Sequence, residues 1–427
     1  MKTYYVESLG CAKNQVDSEL LMASLQVHGK NAGSPDCAEI IIVQSCGFIE
    51  SAKQESINAV LSFRKKFPEK KIVLSGCLAR RYEKELRESL TEADLIFGSD
   101  DISALVKLCG GTLSETETPS AAARPLLSLP GSAYIKIAEG CDNRCSFCAI
   151  PLIRGGLKSR SIAEIKTEFT ALVRRGIKEI NLIAQDTASF GFDTEKKSLL
   201  ADLLKTLLET EGAFWIRLLY LHPDHFPSDI LDVMKHDRRV LPYFDIPFQH
   251  ASKRILSLMG RVGSGERYLE LIERIREELP DAVIRSTFLT GFPSESAADF
   301  DELCRFQRNA RLDWAGVFTY SREDGTPAYD MEKTPSKRKA ALRKTVLETS
   351  QVPVTKNNLE KWTGRHLETL VEEKIDGGLY LGRTYIHAPE VDGVVSLETD
   401  RELTPGGFVN AVITGRAGFD FRAKALP

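Results

Sequence analysis

Short β-branched segments alternate with amphipathic segments through most of this 427-residue chain. Near the start, "EIIIVQS" and "KIVLSG" are separated by the amphipathic stretch 51–66, and from residue 133 six strand-then-helix units follow one another. Strands that alternate with helices favour parallel sheets covered by helices, and six successive units predict a partial (β/α)6 TIM-like barrel. A doubly wound nucleotide-binding sheet is the alternative, but no G-x-G-x-x-G sequence opens a helix in this region.

The C-terminal part of the chain follows a different pattern. Ser336 to Lys361 predicts one long polar helix, and short strands separated by Gly, Pro and Asp come after it, which is typical of a small β-barrel. The segment 112–132 is rich in Ser, Thr and Pro and has no periodicity, so it predicts a linker. We therefore expect an α/β domain at 1–111, the partial barrel at 133–360 and an all-β barrel at 361–427.

Composition restricts the class of protein. The net charge of −3 and the pI near 6.2 argue against a broadly basic nucleic-acid-binding protein. The N-terminus has no apolar signal-peptide core, and no run of 18 or more apolar residues occurs, so we expect a cytoplasmic protein without a membrane span. In a reducing compartment the nine cysteines are metal ligands, reactive thiols or core residues rather than disulfides.

Three cysteines lie close together in "EGCDNRCSFCAIP", at positions 141, 145 and 148. Cys141 follows the first predicted barrel strand, and the carboxyl ends of barrel strands are where active sites lie. The spacing fits an iron–sulfur cluster, in which each thiolate binds its own iron. Zinc and unligated thiols are the alternatives, although zinc would need a fourth ligand and no Cys or His follows nearby.

The spacing C-x3-C-x-aromatic-C, with Phe147 before Cys148, resembles the radical S-adenosylmethionine (SAM) enzymes. The resemblance implies that Cys141, Cys145 and Cys148 hold a [4Fe-4S] cluster whose fourth iron binds the amino and carboxylate groups of SAM. It also implies that reductive cleavage of SAM releases a 5'-deoxyadenosyl radical. The protein would then orient and shield the reacting groups while the cofactor supplies the chemistry.

Further SAM-binding candidates lie at the ends of later strands. Besides Phe147, we expect Gln185 and Asp186 to bind the polar end of SAM, and Gly291 to allow the backbone close to the adenine. Turn chemistry at strand ends explains the same residues equally well. His222 and His250 also follow predicted strands; each is either a catalytic group or, as is more common for a lone histidine, a structural residue.

Cys11, Cys46 and Cys77 form a second set, because each follows a predicted strand of the first domain in "ESLGC", "VQSC" and "LSGC". The carboxyl ends of parallel strands lie along one edge of a sheet, so these distant cysteines are expected to converge on a second metal site. This set also lacks a fourth ligand, and an open position can bind a reactive species. Cys37, Cys109 and Cys304 lack the shared context and are expected to be structural.

An N-terminal three-cysteine domain, a radical SAM barrel and a small β-barrel similar to TRAM domains together resemble the methylthiotransferases. "ESLGCAKNQVDSE" and "HAPEVDGVV" are similar to the branch that modifies an aspartate in the twelfth protein of the small ribosomal subunit. The resemblance implies two [4Fe-4S] clusters, two uses of SAM, and an electron donor protein. A methylthio group from the auxiliary cluster would replace a hydrogen on the aspartate β-carbon, which acid–base chemistry cannot activate.

Two other functions remain open from the sequence: a tRNA adenosine methylthiotransferase, and a non-catalytic metal-binding adaptor for RNA or protein. Residues 364–427 carry seven Arg or Lys and ten Asp or Glu, a net charge of −3 that suits a basic ribosomal protein better than tRNA. The basic runs "RKKFPEKK" and "SKRKAALRK" either make weak contacts with RNA phosphates or are solvated surfaces.

Overall fold

The computed structural model describes residues 2–26, 28–98, 103–111 and 123–427. Within these ranges the chain forms a five-stranded sheet, an open six-stranded sheet, a closed five-stranded barrel and one two-stranded pair. The predicted fold class is confirmed: an N-terminal parallel α/β domain, a partial (β/α)6 barrel and a small C-terminal all-β barrel. Among the described residues, no helix combines the length and the apolar composition needed to cross a membrane.

The N-terminal sheet is parallel throughout, in the strand order β2-β1-β3-β4-β5. Its strands are β1 (Lys2–Ser8), β2 (Gly29–Asn31), β3 (Ile40–Ser45), β4 (Lys71–Gly76) and β5 (Leu95–Ile96). Its helices are α1 (Ala12–Leu25), α2 (Glu50–Lys66), α3 (Cys77–Ser89) and α4 (Ser103–Leu108). All six residues of β3 are buried, as expected for a central strand that helices cover on both faces.

The second sheet is also parallel, in the order β13-β12-β11-β10-β9-β6, and stays open. Its strands are β6 (Ser132–Lys136), β9 (Glu179–Ile183), β10 (Trp215–Leu218), β11 (Val240–Asp245), β12 (Val283–Thr290) and β13 (Trp314–Thr319). A short antiparallel pair, β7 (Ala138–Glu139) with β8 (Lys158–Ser159), lies beside β6 in sequence. This pair frames the segment that carries Cys141, Cys145 and Cys148.

Helices connect these strands and cover one face of the sheet. They are α5 (Ile150–Arg154), α6 (Ile162–Arg174), α7 (Phe192–Glu195), α8 (Leu200–Leu208), α9 (Asp229–His236), α10 (Lys253–Leu258), α11 (Gly265–Glu278) and α12 (Ala297–Ala310). Capping boxes begin α6 and α12, because Ser161 and Ser296 each bond reciprocally with the residue three positions later. Alternate strand residues such as Ile180 and Leu182 pack against the helices in the largest apolar core.

The long helix α13 (Lys337–Glu360) leads into the terminal barrel. That barrel consists of β14 (His366–Asp376), β15 (Leu379–Thr384), β16 (Val395–Glu398), β17 (Phe408–Ala417) and β18 (Asp420–Ala425). The order β14-β15-β16-β18-β17 closes through the parallel pair β16–β18. The sequence predicted the first four strands; β18, which closes the barrel, was not predicted.

The terminal barrel packs on the face of the six-stranded sheet that the helices leave uncovered. Trp215 of β10 donates from its indole nitrogen to Glu368, and Trp314 of β13 donates to the carbonyl of Ile386. All three tryptophans of the chain belong to this one apolar cluster, which includes Trp362 after α13. The terminal barrel therefore shares a core with the partial barrel.

The predicted linker at 112–132 falls partly on residues 112–122, which lie outside the described residues. In the described part, the Arg124 guanidinium is fully buried and pairs with Glu19 of α1 and Glu168 of α6. This arginine therefore ties the first two domains together at the point where the chain passes between them.

Candidate metal and cofactor site

Cys11, Cys46 and Cys77 lie at the carboxyl ends of three neighbouring strands. Cys46 directly follows β3, Cys77 directly follows β4, and Cys11 comes after β1 at the start of α1. Cys46 and Cys77 are buried whereas Cys11 is exposed. Burial raises the pKa of Cys46 to about 11, and the neighbouring Cys11 and Cys77 contribute to that rise. The sheet thus brings together three thiols that are far apart in sequence.

Asn14 links the segments that carry these cysteines. It is fully buried, and its amide nitrogen donates to the carbonyls of Leu9 (3.0 Å) and Ser45 (2.8 Å). Its amide oxygen lies 3.2 Å from the Cys77 sulfur. Sequence reasoning missed this residue, although it lies in the quoted stretch that begins "ESLGC". Its side chain fixes the start of α1 against the ends of β3 and β4.

The segment with Cys141, Cys145 and Cys148 is held by backbone contacts on several sides. Cys141 donates from its backbone to Gly155, and the backbone nitrogen of Ser146 donates to Met259. A Cβ atom at Gly140 would lie 2.0 Å from the carbonyl oxygen of Gly156, so only glycine fits at this position. All three cysteines are partly accessible. Backbone hydrogen bonds and the close packing at Gly140 therefore fix the segment that carries the three thiols.

Burial raises the pKa of Cys141 to about 11 and that of Cys148 to about 12. A metal binds such sulfurs as thiolates, so metal loading would release protons from them. Within the described part of the chain, no three His, Cys, Asp or Glu side chains surround one point as the ligands of a single metal ion do. Three thiols on a glycine-rich loop at a barrel strand end do fit a cluster, which takes each thiolate on a different iron.

Arg154 lies between the two cysteine sets. Its side chain is 7% exposed, and one guanidinium nitrogen contacts Asp17 (2.7 Å), Asn14 (2.8 Å) and the Cys77 sulfur (3.0 Å). The other nitrogen donates to Glu139 at 2.9 Å. Burial disfavours the charge on Glu139, but Lys136 and Arg154 outweigh it and lower the pKa of this carboxyl to about 2. Sequence reasoning missed these charged groups, since only the fold brings them together.

Gln185, one of the predicted SAM-binding residues, extends this network toward the barrel cysteines. Its amide nitrogen donates to Glu139 at 2.8 Å, and Glu139 lies two residues before Cys141. The Gln185 amide oxygen is buried and has no hydrogen-bond partner among the residues that the structure describes. Because a buried acceptor without a donor is costly, this oxygen is suited to an N–H group of a ligand.

Asp186, the second predicted residue, is already engaged by donors of the chain. Its buried carboxylate accepts from the side chains of Asn143 (2.8 Å), Ser189 (2.5 Å) and His225 (2.5 Å). It also accepts from two backbone amides. Burial opposes its charge, yet the bonds from His225 and Ser189 hold the pKa of Asp186 well below its usual range. Asp186 fastens the loop of Asn143 to the end of β9; its contact with SAM stays a prediction.

Phe147 and Gly291 both lie where the partial barrel packs together. Phe147 meets Phe292 edge to face, with ring centroids 6.5 Å apart. Gly291 has a φ of 75°, and a side chain there would lie 2.4 Å from the Cβ of Ala340 in α13. The close approach at Gly291 is thus made by a helix, which explains the glycine through packing. SAM contacts of Phe147 and Gly291 stay predictions.

The two predicted histidines differ in their surroundings. His222 stacks on His225 with centroids 4.6 Å apart, and burial together with Arg261 lowers the pKa of His222 to about 3. His250 is fully buried, and its Nδ1 accepts from the Ser252 amide at 3.0 Å. Its Nε2 has no hydrogen-bond partner in the described part of the chain and lies 3.8 Å from a carboxylate oxygen of Glu295. Whether either histidine is catalytic or structural stays a prediction.

The loop that follows β13, residues 321–330, contacts both cysteine-bearing regions. Glu323 is 2% exposed and pairs with Arg81 (2.7 Å) and Lys53 (3.1 Å) of the N-terminal domain. Arg81 also donates to the carbonyl of Gly47, next to Cys46. At its other end the loop donates from Ala328 to the carbonyl of Ser146, between Cys145 and Cys148. This loop therefore connects the two cysteine sites.

The two basic runs are partly neutralised within the chain. In the first, Arg64 and Lys71 pair with Asp94, and Lys66 pairs with Asp36. In the second, Arg343 is buried and pairs with Glu295. Contact of either run with RNA stays a prediction.

Three family models match the chain. The uncharacterized protein family UPF0004 matches residues 3–98, the radical SAM superfamily matches residues 135–306, and the TRAM domain matches residues 363–426. The first match covers Cys11, Cys46 and Cys77, and the second covers Cys141, Cys145 and Cys148.

Curated relatives align over nearly the whole chain. A protein from Treponema denticola named ribosomal protein uS12 methylthiotransferase RimO is 43% identical, over 98% of this chain and 99% of the relative. A protein of the same name from Aquifex aeolicus is 41% identical, over 98% of this chain and 96% of the relative.

Solved structures match the fold at low identity. The radical SAM methyltransferase TsrM from Kitasatospora setae, with tryptophan and a SAM analogue bound, has a TM-score of 0.55 and 14% identity; the match covers 77% of this chain and 75% of TsrM. The cobalamin-dependent SAM radical enzyme OxsB has a TM-score of 0.51 and 13% identity, covering 77% of this chain and 54% of OxsB. These likenesses show a shared architecture.

Proposed function

We propose a reaction for this chain from the premise that it belongs to the family of ribosomal protein uS12 methylthiotransferases named RimO. As a member of that family it is a radical SAM methylthiotransferase, a transferase of sulfur-containing groups. Its substrate is an aspartate of the small-subunit ribosomal protein uS12, and a methylthio group replaces one hydrogen on the β-carbon. The full-length identity to proteins of this name carries the proposal.

Two [4Fe-4S] clusters serve this reaction. Cys141, Cys145 and Cys148 would hold the one that binds SAM, and Cys11, Cys46 and Cys77 would hold the auxiliary one. When bound, these groups supply a radical able to take hydrogen from an unactivated carbon, together with the sulfur that is transferred. The chain supplies two cradles at fixed separation, because Arg154 and the loop 321–330 each contact both cysteine regions.

The chain's own groups orient SAM. The unpartnered amide oxygen of Gln185 accepts from the amino group of SAM, while Glu139 holds the Gln185 amide in that orientation. Phe147 shields the cluster from water through its apolar contact with Phe292. Asp186 fixes the loop of Asn143 through its carboxylate, and we propose that it also lies at the polar end of SAM.

The proposal also covers the domain bounds, the cellular location and the partners of the protein. The chain divides into an N-terminal domain at 1–111, a linker at 112–132, a radical SAM barrel at 133–360 and a TRAM barrel at 361–427. The protein works in the cytoplasm, receives electrons from a separate donor protein, and makes at most weak contacts with RNA. The acidic terminal barrel repels nucleic acid and favours a basic protein substrate.

A mass-spectrometric comparison of two substrates tests the proposed function. Protein reconstituted without oxygen receives SAM, sulfide and reductant, with uS12 in one tube and hypomodified tRNA in the other. We expect a methylthio-for-hydrogen mass gain on one aspartate of uS12. A gain on the tRNA alone would keep the chemistry and overturn the substrate, and no cleavage of SAM in either tube would favour a non-catalytic adaptor.

Two cysteine variants separate the roles of the two sites. Cys145→Ala should abolish SAM cleavage, because it removes a ligand of the barrel cluster. Cys46→Ala should leave reductive SAM cleavage intact and stop sulfur transfer, because it affects the auxiliary site alone. Methylthio transfer by a protein lacking Cys11, Cys46 and Cys77 would disprove the auxiliary cluster.

A further inference from the structure

Arg154 joins the two cysteine sites across a domain boundary. It ends α5, six residues after Cys148, yet it reaches the N-terminal domain and lies 3.0 Å from the sulfur of Cys77. Acidic groups hold the guanidinium from both sides: Asp17 comes from the N-terminal domain and Glu139 from the barrel. Arginine is suited to this position because its planar fork can donate in several fixed directions.

One guanidinium nitrogen of Arg154 has fewer hydrogens than nearby acceptors. The guanidinium nitrogen nearest Cys77 carries two hydrogens but lies close to three acceptors: Asp17, Asn14 and the Cys77 sulfur. As a thiol, Cys77 donates to the Asn14 oxygen, 3.2 Å away. As an iron ligand it is a thiolate and has no hydrogen to donate. The sulfur then competes with Asn14 for the hydrogen of Arg154 and accepts a charge-assisted bond.

We propose that Arg154 is a positioning residue that donates a hydrogen bond to the Cys77 thiolate and thereby raises the reduction potential of the auxiliary cluster. Hydrogen bonds to cluster sulfurs are one of the factors that set the potential, because a donor stabilises the added negative charge of the reduced state. The radical SAM barrel thus controls the redox properties of a centre held by another domain. This inference rests on the proposed function in taking Cys77 as a cluster ligand.

Lys136 provides a matched control. It contacts the same two carboxylates as Arg154, Asp17 and Glu139, and it comes from the same domain. Among the described residues, its side-chain hydrogen bonds and ion pairs go to these two carboxylates and not to Cys77. Replacing either residue by Gln removes one positive charge from the same network, but only the change at Arg154 removes a donor to sulfur. A comparison of the two separates the hydrogen bond from the effect of charge alone.

The experiment measures the midpoint potential of the auxiliary cluster by electron paramagnetic resonance during a redox titration. The full chain carries Ala at positions 141, 145 and 148, so that only the auxiliary cluster contributes. Arg154→Gln, Arg154→Lys and Lys136→Gln are compared in this background, with iron per chain as the loading measurement. We expect a more negative midpoint for Arg154→Gln, a smaller shift for Arg154→Lys, and a midpoint close to the parent for Lys136→Gln.

Two results would overturn the inference: an unchanged midpoint in Arg154→Gln protein that retains iron, or an equal shift in Lys136→Gln. If Arg154→Gln takes up no iron, Arg154→Lys decides, and a parent-like midpoint in that loaded protein overturns the proposal. Absence of iron from the parent with intact Arg154 would instead disprove the auxiliary cluster itself. Loading therefore separates failure of the proposed function from failure of the role of Arg154.

Discussion

Replacing Glu179 by Gln should loosen the terminal barrel from the partial barrel. Glu179 of β9 is fully buried at the contact between them. Its carboxylate pairs with Arg383 of β15 at 2.5 Å and with Arg217 of β10 at 2.9 Å, and it accepts from Ser132 at 3.1 Å. The substitution leaves two buried guanidinium groups without their shared carboxylate. Removing one partner of a buried ion pair in this way is strongly destabilising, because a buried charge is left uncompensated.

The loss of unfolding free energy in Glu179→Gln can be worked out in two ways. Burial disfavours the charge on Glu179, but Arg383 and Arg217 lower its pKa from 4.5 to about 2. This difference corresponds to about 3 kcal/mol of stability at neutral pH. Removing one partner of a buried ion pair generally lowers the free energy of unfolding by about 3–5 kcal/mol. We therefore expect Glu179→Gln to lower the free energy of unfolding by roughly 3 kcal/mol at pH 7.

Tryptophan fluorescence during urea unfolding is the appropriate assay, because Trp215, Trp314 and Trp362 all lie in the core shared by the two barrels. The pH dependence has a definite sign. A carboxyl whose folded pKa is depressed stabilises the protein above its unfolded pKa and loses that contribution as the pH falls toward the folded value. The stability gap between wild type and Glu179→Gln should thus be full above pH 5 and fall by more than half near pH 3.

Glu372→Gln is the matched control. Glu372 also pairs with Arg383, at 2.7 Å, yet burial outweighs that pairing and the pKa of Glu372 is raised. Folding therefore disfavours the charge on Glu372 relative to the unfolded chain, and an uncharged amide should cost less there than at Glu179. Equal losses for the two variants at pH 7, or a Glu179 gap that does not shrink on acidification, would refute the reasoning.

Three further variants test other parts of the structure. Gln185→Ala should weaken SAM binding about tenfold, the equivalent of one hydrogen bond of about 1.4 kcal/mol, in equilibrium dialysis; unchanged binding would exclude the proposed contact. Gly260→Ala places a Cβ 2.3 Å from the Arg144 carbonyl oxygen at a φ of 76° and should reduce iron loading at the barrel cysteines, whereas Gly33→Ala, at a φ of 69° in open space, should not. Glu323→Gln should speed hydrogen exchange in α3, because Arg81 loses a buried partner; exchange as slow as in wild type would show that the 321–330 loop does not hold the domains together.

The sequence predicted those features that depend on local periodicity. The alternation of β-branched and amphipathic segments placed six parallel strands, and the position of Cys11, Cys46 and Cys77 after strands predicted one shared edge because parallel strands end on the same side. The last strand, β18, was missed because "DFRAKA" alternates charged and apolar residues over only six positions at the end of the chain. The pair β7–β8 is two residues on each side and has no periodicity to detect.

The connections between the sites could not be predicted in the same way. Arg154 and Cys77 are separated by 77 positions and belong to different domains, so no sequence pattern relates them. At Gly291 the sequence predicts close approach of the backbone to the adenine of SAM, and only the structure shows that Ala340 of α13 also packs against this glycine. Side chains whose role depends on a domain contact are visible only once the domains are docked.

The shared core of the two barrels has a consequence for recombination between relatives. Tyr243 of β11 bonds to Asp392, Trp215 packs on Phe408 at 4.6 Å between ring centroids, and Arg217 donates to the carbonyl of Tyr385. A foreign C-terminal module joined after α13 would have to match these partners or leave the inner wall of the catalytic domain exposed to water. Chimeras made by exchanging only the terminal module should therefore fold poorly, unless the inward-facing residues of β9, β10 and β11 are exchanged with it.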